Sequence, residues 1–116
     1  MRKKEDLPDC PVATTLQVLG SKWKLFIIRN LLIRPWRFNE LKNDLDGISQ
    51  KVLTQSLRSM EDDGLIIRRE IESAPPKAVE YSLLRLGETL RPLLIEMQNW
   101  GNYYKGQMGM GNSKTV

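Results

Sequence analysis

Apolar positions recur at a helical period over roughly the first sixty residues, at a strand period over about the next twenty, and at a helical period again towards the end. Leu16 and Leu19 close a short helix that begins after Pro11, and Gly20 ends it. Ser21 is placed to cap a second helix over Lys22 to Ile33. Trp23, Leu25, Phe26, Ile27, Ile28, Leu31, Leu32 and Ile33 make that segment apolar nearly all round, so it is expected in the middle of the core. Arg34-Pro35 stops it, because a residue before proline is biased away from helical geometry.

A short helix follows around Phe38 to Leu45, with Phe38, Leu41 and Leu45 on one face. Asp46-Gly47 signals a turn, and Ser49 can cap a helix running from there to about Asp62, which Gly64 ends. That helix has two faces. Leu53, Leu57 and Met60 form an apolar stripe, while Lys51, Thr54, Gln55 and Arg58 share a polar one without an acid. The period then changes to two over Leu65 to Ile71 and Val79 to Leu83, joined by the proline-bearing loop 72–78, which predicts a hairpin. Leu86 to about Tyr104 reads as a long amphipathic helix, beginning near Pro92 or bending there.

The order of these elements is that of a helix-turn-helix followed by a wing. The expected fold is therefore mainly α with a small β hairpin, one domain over residues 1–105, and a disordered tail over 106–116. The polar face of the fourth helix carries groups that suit a DNA groove. Arginine or lysine meets the acceptors of guanine, and a carboxamide pairs with adenine. Ser49, Gln50 and Lys51 would lie nearest the bases or flanking phosphates, with Thr54, Gln55 and Arg58 behind them. Arg37, Arg68, Arg69 and Lys77 would reach the backbone or the minor groove from the wing. A polar-faced helix alone is usually only a surface helix. The succession of elements, with no acid on the reading face, is what favours double-stranded DNA as partner.

Charge distribution adds to this. The formal net charge is only +4, yet residues 10–39 contain no acid against Lys22, Lys24, Arg29, Arg34 and Arg37. Residues 47–60 again lack acids while carrying Lys51 and Arg58. Such stretches suit a polyanionic partner. Histidine is absent, which removes the usual general base and a common metal ligand, so neither an enzyme nor a metal or cofactor site is expected. Glu61-Asp62-Asp63 is better read as solvated or paired with Arg68 or Arg69 than as a metal site. One cysteine excludes an intrachain disulfide. The basic N-terminus lacks a following apolar run, and Leu25 to Ile33 is far short of a membrane span, so a cytoplasmic location is expected.

Several short motifs resemble the HxlR-type winged-helix regulators of bacteria. They include Cys10-Pro11-Val12, Leu19-Gly20-Ser21-Lys22-Trp23, Arg37-Phe38-Asn39-Glu40-Leu41, Asp62-Asp63-Gly64-Leu65-Ile66, Val79-Glu80-Tyr81-Ser82-Leu83 and Trp100-Gly101. The resemblance runs from Cys10 to about Gly101 and implies a homodimeric DNA-binding transcription factor; with the order of elements, the expected function is that of a repressor acting on a pseudo-palindromic duplex site. Dimer contacts would come from the terminal helices, with Leu16, Leu19, Leu90, Leu93, Leu94, Met97 and Trp100 as the seam. It further implies that Cys10 senses a small electrophile or oxidant, against the alternative of a structural cysteine at the interface. Two departures are Arg34, where the family often has glycine, and Leu84, where a threonine would cap the last helix. The rival readings are a winged helix that contacts only protein and a regulator gated by a ligand in an apolar pocket at the dimer interface.

Overall fold

A computed structural model describes residues 2–72 and 78–109. A 3₁₀ turn at Lys4–Asp6 leads into helix α1 (Pro11–Val18), α2 (Lys22–Leu31), strand β1 (Trp36–Arg37), α3 (Phe38–Asp44), α4 (Gln50–Asp62), β2 (Ile66–Ile71), β3 (Ala78–Leu83), α5 (Arg85–Glu88) and α6 (Arg91–Gln107). The caps act as their chemistry requires. Ser21 Oγ accepts the N–H of Lys24 at 3.3 Å, and Ser49 Oγ accepts that of Val52 at 3.1 Å. Gly47 and Gly64 hold φ of 88° and 77°, left-handed conformations that let the chain leave α3 and α4 sharply.

β1, β3 and β2 form one antiparallel sheet in that order. The short β1 is an addition to the expected hairpin, since two residues carry too little alternation to announce a strand. Pro92 stands in the first turn of α6, where its missing N–H breaks no ladder bond; the final helical stretch is therefore split into α5 and α6. Leu84 stands at the start of α5 with no side-chain cap, as its aliphatic chemistry dictates. α6 extends two residues into the stretch read as tail, while residues 110–116 and the proline loop 73–77, with Lys77, lie outside the described residues.

The core is built where the helical stripes meet the sheet. Ile27, Ile28 and Leu31 from α2, Leu41 from α3, and Leu53, Leu57 and Met60 from α4 close against Ile66 and Tyr81. Three further residues, Leu45, Ile48 and Leu65, are buried at the turns between elements. α2 is central but not apolar all round. Ile33, beyond its end, is 65% exposed, whereas the polar Asn30 is buried. The Asn30 amide donates to Asp44 at 2.8 Å, and its backbone carbonyl accepts the Trp36 indole N–H at 2.9 Å, tying α2 to α3 and β1.

Candidate nucleic-acid interface

α3 and α4 are joined by Leu45–Ser49, with Leu45 and Ile48 turned into the core and the positive φ of Gly47 reversing the chain between them. The Ile48 N–H donates to the Leu45 carbonyl at 3.1 Å, which tightens the turn. Anchoring both ends of this turn fixes the rotation of α4 and hence the direction of its polar face. Gln50, Lys51, Gln55 and Arg58 are exposed there, and Thr54 is half-buried at the edge. Ser49 is also exposed, but its oxygen is engaged in the cap, leaving its hydroxyl proton for an outside acceptor. The face is acid-free only as far as Arg58. Asp62, four residues on, returns to the same stripe and closes it.

The wing arginines diverge because a strand alternates faces. Arg68 stands opposite Tyr81 on the core-facing side and lies 3.7 Å from Glu70. Burial raises the Tyr81 hydroxyl pKa, and the hydrogen bond from Arg68 acts against that rise. Arg58 and Glu61 of α4 also act on this hydroxyl, so Arg68 sits beside the end of the α4 face. Arg69 points the other way, in register with Glu80, whose second neighbour is Arg37.

Most bases of the acid-free stretch are already engaged within the chain. Lys22 lies over Trp23 at 4.7 Å, Arg29 over Phe26 at 4.8 Å and Arg34 over Trp36 at 3.9 Å. Lys24 turns inward, donating to Ser59 Oγ at 2.8 Å and the Val18 carbonyl at 3.3 Å; burial lowers its pKa against the opposing pull of Asp63. Arg37 stands exposed at the start of α3, as Lys22 and Arg34 are exposed elsewhere in the stretch. Its backbone N–H donates to Glu40 at 2.8 Å, which is the main reason the Glu40 carboxyl titrates below the usual range; Arg34 adds to the effect.

Asp63, which caps the end of α4, is buried and pairs with Arg2 at 3.3 Å rather than with Arg68 or Arg69. Arg2 carries no signal in the sequence, since it lies outside any periodic stretch. Among the described residues no group of three or more metal-ligating side chains comes together. No described helix is long and apolar enough to cross a membrane.

The proposed seam divides in two. Leu19 and Leu94 are each 6% exposed and pack in the chain's own core, and Leu90 packs against it, so they are not free for a partner. Leu16, Leu93, Met97 and Trp100 are exposed, and Val12 and Tyr104 join them at helical spacing. Trp100 stacks on Tyr104 with ring centroids 5.4 Å apart. α6 buries Leu94 alone, so most of its apolar side chains face outward. Cys10 is exposed at the N-cap of α1. Next to α1 lies a cleft of about 280 Å³, walled by Leu7, Val18, Leu19, Leu65, Leu86 and Leu90, with the Arg2–Asp63 pair in its lining.

The fold is shared with known proteins. The HxlR-like helix-turn-helix family model matches residues 18–108. The HTH-type transcriptional regulator YdeP of Bacillus subtilis is 42% identical over 104 residues, covering 90% of this chain and 80% of that protein. The reduced form of the redox regulator HypR superposes with a TM-score of 0.78 at 36% identity, covering 86% of this chain and 98% of that one. Its oxidised form gives a TM-score of 0.73 at 40% identity, over 79% and 94%.

Proposed function

This chain belongs to the HxlR-like helix-turn-helix family and is a DNA-binding transcriptional regulator, and from that premise we propose how it reads its site. It acts as a homodimeric repressor on a pseudo-palindromic duplex, each α4 entering one of two successive major grooves about 34 Å apart. Gln50, Lys51, Thr54, Gln55 and Arg58 face the base edges and flanking phosphates, with Ser49 at the helix start. Arg37, Arg68, Arg69 and Lys77 contact the backbone. The observation that carries this reading is the exposed face of α4, held in orientation by the buried Leu53, Leu57 and Met60.

The subunits meet through Val12 and Leu16 of α1 and Leu93, Met97, Trp100 and Tyr104 of α6, exposed apolar side chains that a second copy would cover. Cys10 is the sensor for a small electrophile or oxidant, supported by its exposure and by the similarity to a redox regulator. The binding claim is tested by fluorescence anisotropy on duplex from the protein's own upstream region and on a scrambled duplex. A preference on the order of a thousandfold is expected; equal, weak affinity for both contradicts sequence-specific reading of that region. With Cys10→Ser, the response of binding to diamide or quinone should disappear; an unchanged response would remove Cys10 from the account. The apolar cleft favours a second reading of the signal, a small apolar effector. A thermal shift with small aromatic compounds that persists in Cys10→Ser would support it.

A further inference from the structure

The register of the three strands sets one acidic residue between two arginines. Glu80 of β3 is paired in register with Arg37 of β1 on one side and with Arg69 of β2 on the other. Residues directly opposed across antiparallel strands project from the same face, with Cβ atoms about 4.5–5.5 Å apart. The neighbouring row, Trp36–Tyr81–Arg68, takes the core-facing side, as the burial of Tyr81 establishes. The Arg37–Glu80–Arg69 row therefore stands on the outer face of the sheet. Both arginines are exposed, and Glu80 between them is half-buried. At such spacing Glu80 lies within one Debye length of about 8 Å at physiological salt from each arginine, so its charge offsets part of the field of both. The row presents one net positive charge where two arginines alone would present two.

We propose that Glu80 limits the sequence-independent grip of this protein on duplex DNA by offsetting half the charge of the Arg37/Arg69 pair. The proposal rests on the reading of these two arginines as backbone contacts. Phosphate contacts supply the affinity that every sequence shares, whereas base contacts discriminate. A carboxylate in register between two phosphate-binding arginines repels the same phosphates. It thereby lowers attachment to the many non-target sites with which an operator must compete. A bland surface glutamate would have no such partners in register on both sides.

The test is anisotropy with a scrambled duplex between 50 and 200 mM salt, comparing the full-length protein with Glu80→Gln. The variant should bind the scrambled duplex more tightly at low salt. Its salt slope should steepen by about one unit, an additional loss of about 3.5-fold across that range. In an Arg37→Ala/Arg69→Ala background, adding Glu80→Gln should give a clearly smaller gain in affinity than it gives in the parent. Glu80→Ala serves as a second variant, with thermal denaturation checking that each protein is folded. Glu80→Gln binding no tighter than the parent overturns the proposal, and so does an equal gain in the double-alanine background. If the double-alanine parent binds DNA as well as wild type, the backbone-contact reading itself fails, which is a separate result.

Discussion

Asn30 is nearly fully buried, and its side-chain amide donates to Asp44 while its carbonyl oxygen accepts from Arg29 at 3.3 Å. Asn30→Ala should therefore lower stability by about 1–3 kcal/mol, measured by urea denaturation, because the hydrogen bonds go and a void remains. In sequence, Asn30 looks like an interruption of an apolar run; only the position of Asp44 in space reveals its partner. Glu40 offers a pH signature. Its carboxyl is held below the ordinary range chiefly by the Arg37 backbone N–H, so its contribution to stability is present above the ordinary glutamate pKa. That contribution fades as pH falls through the lowered value. Glu40→Gln should accordingly have a lower Tm than wild type at pH 7, with the difference shrinking on acidification; a constant difference would contradict the assignment. On the DNA side, Lys51→Ala should weaken binding, and if Lys51 contacts a phosphate the salt slope should fall by about one unit.

At the scale of elements, helices announced by capping residues and regular stripes were legible from sequence. α4 lies within one residue of its expected start because Ser49 both ends the turn and accepts the Val52 N–H. The expected face of Lys51, Gln55 and Arg58 is exposed for the same reason, since period 3.6 opposes it to Leu53, Leu57 and Met60. What periodicity could not separate was the apolar surface that meets this chain's own core from the surface that faces outward. Leu94 and Met97 look alike in a pattern, yet only Leu94 is buried. Leu94→Asp should therefore unfold the chain by placing a charge in the core. Met97→Asp should leave the fold intact and yield monomers in sedimentation velocity; a Met97→Asp dimer would remove α6 from the seam. The wing arginines likewise look like one group in the sequence, but strand alternation puts Arg68 and Arg69 on opposite faces. Gly87 carries no signal in the sequence, yet a Cβ there would run into the Leu65 carbonyl and the Leu83 side chain, so its absence lets α5 pack directly on the wing base.

The whole molecule is extended for its length. Its radius of gyration is 15.7 Å, against about 13 Å expected for a compact chain of this size. The excess accompanies a 17-residue α6 that gives the core only Leu94 and carries exposed Leu93, Met97, Trp100 and Tyr104. A second subunit covering that stripe would hold two α4 helices in a fixed relation, which is what a two-fold DNA site requires. The paired-helix account is tested most directly by dimethyl sulfate protection on a duplex selected from the protein's own upstream region. Guanine N7 lies in the major groove, so two α4 helices should protect two clusters of guanines related by a dyad and about 10 base pairs apart. A single protected cluster, or firm binding that leaves every guanine N7 reactive, would contradict the placement of paired α4 helices in successive major grooves.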